Sequence, residues 1–300
     1  MKKIMIALVS TSVVLGIAGC GSGSSLNGGG DSDPHTISIG SANFSESTLL
    51  AHIYSTALEN AGFKTSVKPN IGSRELYIPA LEDGSIDVVP EYTGALLAYM
   101  DPSATNIFTS DEIYSELATS IPDTLRILDQ SGAEDKDTVV VTRDTAEKYG
   151  LRSLADLADV SPNMVLGGPP ETAERRAGVL GLRDLYSVEF KDFKAVDLGG
   201  PLTVSGLKSG NLDAAFMFTT QSALAENGFV ALEDPKFMAV AENAVPLVRS
   251  EKLTSELQEV LNRVSAAITT ESLIKMNRRV EVDKEEAARV AEDFVRDNNL

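Results

Sequence analysis

The sequence predicts an α/β protein of two lobes, each a mainly parallel sheet covered by helices. Three observations carry this. From residue 36 onward, short β-type runs alternate with helical stretches. The alternation comes as two series, one opening near residue 37 and the other near residue 138. The last third of the chain returns to helix. The 300 residues are 43% hydrophobic and 23% charged, a globular balance with enough apolar surface for a core. No internal repeat at solenoid or propeller spacing is present.

Residues 1–19 begin Met1-Lys2-Lys3, continue as an apolar run over 4–18 and end at Gly19. A charged start, a short hydrophobic stretch and small residues before a cut read as a secretory signal peptide. The run is too short for a stable membrane span. Residues 17–20, Ile-Ala-Gly-Cys, look like a bacterial lipobox, in which cleavage precedes a cysteine that becomes lipidated. The alternative is an ordinary signal peptide with an accidental cysteine. Cys20 is the one cysteine of the chain, so no intramolecular disulfide can form. Residues 21–35 hold five Gly and four Ser without apolar periodicity, and 20–35 therefore read as a lipidated cysteine on a flexible tether. Such a tether reaches about 20 Å root-mean-square. Acyl chains contribute about 0.8 kcal/mol per buried CH₂, so two or three hold a domain at a bilayer without a transmembrane helix.

In the first series, 37–40 read as a strand ending in glycine. Ser45 is an expected N-cap, and Leu49, Leu50, Ile53, Tyr54, Ala57 and Leu58 recur on one helical face until Gly62. A strand at 65–67, a helix at 73–81 with Pro79 deep inside it, a strand at 86–89 and a helix at 93–100 follow. The second series begins with the β-branched run 138–141. Helical segments at 145–149 and 153–157, a strand at 164–166 and a helix from Glu171 come next. Then a strand at 195–198, a helix at 203–208, a strand at 214–218 and a helix from Thr220 complete it. Leu253, Leu257, Val260, Leu261, Val264 and Ile268 make one apolar stripe, and Asp283 with Glu286 reads as a capping box for the last helix. Two such lobes predict a cleft walled by the segments beyond the strands' carboxyl ends: 41–46, 72–75, 90–94, 167–175, 198–203 and 218–221.

Charge and composition exclude several functions. Lys and Arg number 26 against 44 Asp and Glu, a formal charge of -18 that becomes -20 when residues 1–19 leave with Lys2 and Lys3. Such an acidic surface repels phosphate backbones, so no nucleic-acid partner is expected. Two histidines and one cysteine leave almost no soft metal ligands. Neither G-x-S-x-G, G-x-x-x-x-G-K nor H-E-x-x-H occurs. His35 lies in the tether and His52 in the middle of a helix. Acid pairs such as Glu82-Asp83 are ordinary in so acidic a chain, and nothing selects the carboxylates a glycosidase would need. The chain is expected to have no catalytic residue, no metal and no cofactor.

Two segments carry a resemblance. Gly40-Ser41-Ala42-Asn43-Phe44-Ser45-Glu46-Ser47 resembles the G-S-K-N-F-T-E-Q segment of substrate-binding proteins from ABC importers for quaternary amines. Gly84-Ser85-Ile86-Asp87 with Pro90-Glu91-Tyr92-Thr93-Gly94 is similar to the same family's G-x-I-D-x-x-P-E-Y-T-G. Residues 146–151 and Pro170-Glu171 with Arg175 continue it. The resemblance implies a two-lobed periplasmic-binding-protein-like fold of type II, with lobe one at 36–138 plus 239–300 and lobe two at 139–238. It further implies a lipid-anchored receptor on the extracytoplasmic face of a bacterial cell membrane. That receptor hands glycine betaine, choline, carnitine or a similar amine to ABC permease subunits driven by a cytoplasmic ATPase. A receptor for ergothioneine or another amino-acid derivative is the nearest alternative, and a lipid-anchored hydrolase a more distant one.

Trimethylammonium has no N–H to donate, so such sites hold it on aromatic faces, each worth about 0.5–2 kcal/mol. The resemblance places Tyr92 in the cage and Arg175 on a ligand carboxylate, with Phe218 and Thr219 where the family often has Y-S-T-D. Asn43, Phe44, Ser45, Glu46, Arg74, Glu91, Thr93 and Asp137 complete the candidate ligand contacts. The chain departs from the pattern in three places: Ala42 and Ser47 replace the family's Lys and Gln, residues 135–139 lack a tyrosine, and so do residues 201–203. A four-tyrosine cage is therefore absent. Phe44, Tyr77, Phe216 or Phe218 are the rings left to rebuild it, with Glu91 or Asp137 as compensating acids. Read without the motif, Arg175 is equally an outer helical charge beside Arg176, and Tyr77 and Tyr99, on helices, are more often core than cage.

Overall fold

A computed structural model describes residues 34–104 and 107–300; the expected signal peptide, Cys20 and most of the tether lie outside the described residues. Strand β1 (Thr36–Ala42) buries Ile37 and Ile39, which share a face by the two-residue period of a strand. Helix α1 (Ser45–Asn60) buries all six residues of its expected apolar face. Its N-cap is Phe44 rather than Ser45: Ser45 is already helical, and its hydroxyl donates to Glu281 at 2.6 Å instead of capping. Strand β2 (Lys64–Gly72), helix α2 (Arg74–Glu82), strand β3 (Val88–Tyr92) and helix α3 (Thr93–Met100) continue the alternation. The expected end of β3 at residue 89 is wrong. The strand runs through Pro90 because Pro90 faces Pro246 across the ladder, which concentrates the missing donors at one rung. Helix α4 (Ser110–Ser120), opened by a Thr109/Glu112 capping box, and strand β4 (Leu125–Ile127) were not expected.

The second series contains β5 (Asp137–Val141), α5 (Arg143–Tyr149), β6 (Val165–Gly168), α6 (Val179–Tyr186), β7 (Asp192–Ala195), α7 (Pro201–Ser209), β8 (Ala214–Phe218), α8 (Ser222–Asn227) and β9 (Val230–Ala231). Two expected helices are single 3₁₀ turns, Leu154–Leu157 and Pro170–Glu174. The second of these stops because Arg175 turns to extended backbone, so the true helix begins only at Val179. The strand expected at 195–198 lies earlier, at β7. The chain then returns through β10 (Ala244–Arg249) to helices α9 (Ser255–Ala267), α10 (Thr270–Glu281) and α11 (Ala287–Asp297). The stripe on α9 is buried as expected. The Asp283/Glu286 capping box does not form: Glu286 makes no side-chain cap, and Asp283 is drawn to Arg278 at 3.4 Å.

Two five-stranded sheets result, ordered β2-β1-β3-β10-β4 and β7-β6-β8-β5-β9. They are mixed rather than mainly parallel. Strands β10 and β5 are the first strands after each crossing, so they enter from the opposite side and run antiparallel to their neighbours. The crossing segments lie side by side, with Ser131 N donating to Ala244 O at 2.8 Å and Asp135 N to Glu242 O at 2.9 Å. Each sheet has its own apolar core, one around Ile37, Leu50, Val248 and Leu261, the other around Val139, Leu166, Leu182 and Phe216. No helix among the described residues is long and apolar enough to cross a membrane.

Candidate ligand-binding cavity

A cavity of about 970 Å³, open solvent at its mouth included, lies between the two sheets. Its walls are the turns beyond parallel strands: Ala42–Phe44 after β1, Ser73 and Arg74 after β2, Pro169–Thr172 after β6, and Val196–Leu198 after β7. Tyr92, Phe218 and Asp137 add the strand ends of β3, β8 and β5, while Asp135 and Glu242 come from the two crossings.

Three aromatic rings meet in this cavity. Phe44 and Phe218 lie 5.0 Å apart between centroids, Phe44 and Tyr92 6.1 Å, and Tyr92 and Phe218 6.2 Å with planes only 23° apart. Phe44 and Tyr92 come from the first sheet's half and Phe218 from the second, so the cluster spans the cleft. Tyr92 is held from behind. Its hydroxyl donates to Glu46 Oε1 at 2.6 Å, and Glu46 Oε2 also accepts from Thr220 Oγ1 at 2.7 Å and from Asn277. Burial pushes the Glu46 carboxyl up, against these hydrogen bonds, and burial together with the Glu46 charge pushes the Tyr92 phenol well up. The phenol stays protonated and its hydroxyl is held in place by Glu46.

Around the rings the lining is acidic. Asp135 is 2% exposed; its Oδ1 accepts from Thr220 N at 3.0 Å and Thr219 Oγ1 at 3.2 Å, and its Oδ2 is buried without a partner. Burial and the nearby Glu46 charge hold it well above the usual range. Burial pushes Asp137 up to about 6, against the pull of Arg74 and Arg175. Glu242, whose Oε2 accepts from Ala95 N at 2.9 Å near the start of α3, is pushed up to about 8 by burial and by Asp137. Both arginines of the wall have carboxylate partners. Arg74 lies 2.7 Å from Glu91, and although burial opposes its charge, Glu91 holds the guanidinium above its ordinary value. Arg175 reaches Glu75 at 3.3 and 3.4 Å.

This fold agrees with comparisons to known proteins. The substrate binding domain of ABC-type glycine betaine transport systems, as a family, matches residues 35–297. The chain belongs to this family. Among curated relatives of the family, the carnitine transport binding protein OpuCC of Listeria monocytogenes is 27% identical, covering all of this chain and 98% of that protein. A glycine-betaine-binding protein of Pseudomonas aeruginosa is 25% identical over 88% of each chain. A crystal structure of a glycine betaine/carnitine/choline ABC transporter superposes with a TM-score of 0.69 at 23% identity, covering 88% of this chain and 98% of that one. The shared fold is the two-lobed, type II periplasmic-binding-protein arrangement.

Within this binding domain, the sequence-expected residues separate into two groups. Asn43, Phe44, Arg74, Tyr92, Asp137, Arg175 and Phe218 line the cavity. Ser45, Glu46, Glu91, Thr93 and Thr219 do not. Ser45 faces a second opening between Leu198, Gln221 and Val280. Glu46 supports Tyr92 from behind. Glu91 is wholly buried, accepting from Arg74, from Tyr77 Oη at 2.7 Å and from Tyr92 N at 2.9 Å, so it is no compensating acid for a ligand. Thr93 Oγ1 accepts from Asn243 N at 3.1 Å, and Thr219 Oγ1 accepts from Lys136 N at 2.9 Å while donating to Asp135. Of the candidate replacement rings, Phe216 is 1% exposed in the core of the second sheet, while Tyr77 lines the cavity with its hydroxyl tied to Glu91. The sequence reading missed Asp135 and Glu242 as cavity acids. An unexpected run of acids near the crossing (Glu134, Asp135, Asp137) was the signal for the first; Glu242 had none, since only the pairing of the two crossings brings it in.

Proposed function

We propose that this chain is the extracytoplasmic receptor of an ABC importer, binding a small quaternary-ammonium compound and delivering it to the permease. The observation that carries the reading is the trio Phe44, Tyr92 and Phe218, contributed from both halves into one acid-lined cavity. Rings attract a permanent cation through their quadrupoles, and the surrounding carboxylates supply its countercharge. A ligand bridging rings from both halves favours the closed arrangement and so couples binding to lobe closure. The lobes are taken as 36–138 plus 239–300 and 139–238. The permease recognises the closed form, and the cytoplasmic ATPase drives transfer. Cys20 carries the lipid that holds the receptor at the membrane; the receptor returns its ligand chemically unchanged.

Calorimetric titration of the purified full-length chain in detergent with glycine betaine, choline, carnitine, proline betaine and ergothioneine tests the ligand class. Binding of at least one quaternary amine is expected, and heat or thermal shift with none of them defeats the reading. For the anchor, Cys20→Ser should give unprocessed or released protein with unchanged ligand affinity. A variant that is still cleaved, acylated and membrane-bound would remove Cys20 from that role.

A further inference from the structure

The cavity's polar groups are arranged for one kind of ligand tail. A zwitterionic betaine brings a carboxylate a few ångströms from its cation, and that carboxylate needs donors or an unpaired positive charge. Among the described residues, the wall offers no unpaired positive charge, and its side-chain donors without a protein partner are Asn43 and Thr172. Arg74 is neutralised by Glu91 at 2.7 Å, and Arg175 is engaged with Glu75 across the mouth. Beside these arginines stand Asp137 and Glu242, and Asp135 lies close enough to the ring cluster for its charge to act on Tyr92. Five acids line the cavity (Asp135, Asp137, Glu171, Asp197 and Glu242) against the two arginines.

Two of these acids have acceptor capacity left over. Asp135 Oδ2 is buried with no partner, an uncommon state for a carboxylate oxygen and one a ligand donor would relieve. Asp137, at the first position of β5, takes no side-chain hydrogen bond from the protein among the described residues. Asp197 differs, since its carboxylate accepts from Leu202 N at 3.0 Å and Thr203 N at 2.9 Å at the start of α7.

Building on the quaternary-amine reading, we propose that Asp135 and Asp137 make this cavity select ligands of net positive charge that carry a hydrogen-bond donor. Quaternary amino alcohols of the choline class fit this description; carboxylate-bearing betaines do not. The cation sits on the Phe44, Tyr92 and Phe218 faces with Asp137 as counter-ion. The hydroxyl donates to the carboxylate oxygens that the protein leaves open. A betaine in the same pose sets its carboxylate against Asp137, a like-charge contact in a largely desolvated place.

The test compares choline, its methyl ether (same charge, no donor), glycine betaine and tetramethylammonium on the full-length chain in detergent by calorimetry at pH 7.5. Choline should bind about tenfold or more tighter than glycine betaine, with the methyl ether in between. Asp137→Asn should weaken choline by about fivefold or more and leave glycine betaine unchanged or improved. Asp135 also braces Thr219 and Thr220, so Asp135→Asn is read only alongside a thermal unfolding curve; Asp137 has no such duty and carries the test if that variant misfolds. Glycine betaine binding as tightly as choline, or equal losses for both on Asp137→Asn, overturns the inference while leaving the quaternary-amine reading intact. Absence of choline binding to a cooperatively unfolding protein overturns this inference; the quaternary-amine reading falls only if carnitine, proline betaine and ergothioneine also fail to bind.

Discussion

Replacing Tyr92 is the sharpest single perturbation of the site, because its ring and hydroxyl do separate jobs. The ring stands 6.1 and 6.2 Å from Phe44 and Phe218, and the hydroxyl donates to Glu46 at 2.6 Å in a place only 5% exposed. Tyr92→Ala removes one of three cage faces and loosens the other two. With about 0.5–2 kcal/mol for the cation contact and the remainder for lost packing, affinity for a quaternary amine should fall by about 1–3 kcal/mol, or about 5–150-fold. Tyr92→Phe keeps the face and removes only the donor. Its affinity should stay within about threefold of the parent, while stability falls by about 1–3 kcal/mol because Glu46 loses a partner where water cannot replace it. Calorimetry gives the affinities and denaturant unfolding the stabilities. Full affinity in Tyr92→Ala, or an equal loss in Tyr92→Phe, would show that the ring face does not hold the ligand.

Further outcomes follow from the same geometry. Arg175→Ala breaks a partly exposed pair with Glu75, worth about 0–1 kcal/mol, and should weaken choline and glycine betaine by the same factor, within about threefold; a loss above about tenfold confined to glycine betaine would show that Arg175 grips a carboxylate. Glu242 and Asp137, raised by burial to about 8 and about 6 with Arg74, Arg175 and Glu91 around them, ionise later in the folded than in the unfolded chain, so stability should fall as pH rises from about 4 to about 8. Glu242 should release its proton when a permanent cation binds near pH 7, seen as a buffer-dependent binding heat, and Glu242→Gln should flatten the thermal stability difference between pH 5 and pH 8; Asp293, held near 2 by Arg279 and Arg296, changes only at lower pH. Gly94→Ala should lower the unfolding midpoint, because a Cβ there would meet Val240 Cγ2 at 2.5 Å and Ala241 O at 2.6 Å in the returning crossing; an unchanged midpoint would mean that this segment yields freely.

Much of the fold was legible because local periodicity is a local property. The face Leu49 to Leu58 on α1 and the stripe Leu257 to Val264 on α9 are buried as their spacing requires, since an amphipathic helix has one way to hide its apolar side. The order of β and α runs likewise placed the cavity beyond the strand ends, and the residues around P-E-Y-T-G led to Tyr92. Side-chain roles within that motif were a different matter. Glu91 and Thr93 stand on either side of Tyr92 in sequence, yet one is bound inward by Arg74 and Tyr77 and the other by Asn243, and spacing along a strand does not say which neighbour faces the ligand.

What the sequence determined by itself was the set of elements, the acidic charge and the pair of β/α series; these depend on residues near one another in the chain. The completion of each sheet and of the site depends on contacts between distant parts of the chain. Strand β10 lies more than 150 positions after the β3 it pairs with, and its ladder turns an expected parallel sheet into a mixed one. The three rings stand at positions 44, 92 and 218, and the acids Asp135 and Glu242 meet because one crossing hydrogen-bonds to the other. Contacts between residues so far apart depend on how two independently packed cores are joined, and no periodicity along a single segment encodes that.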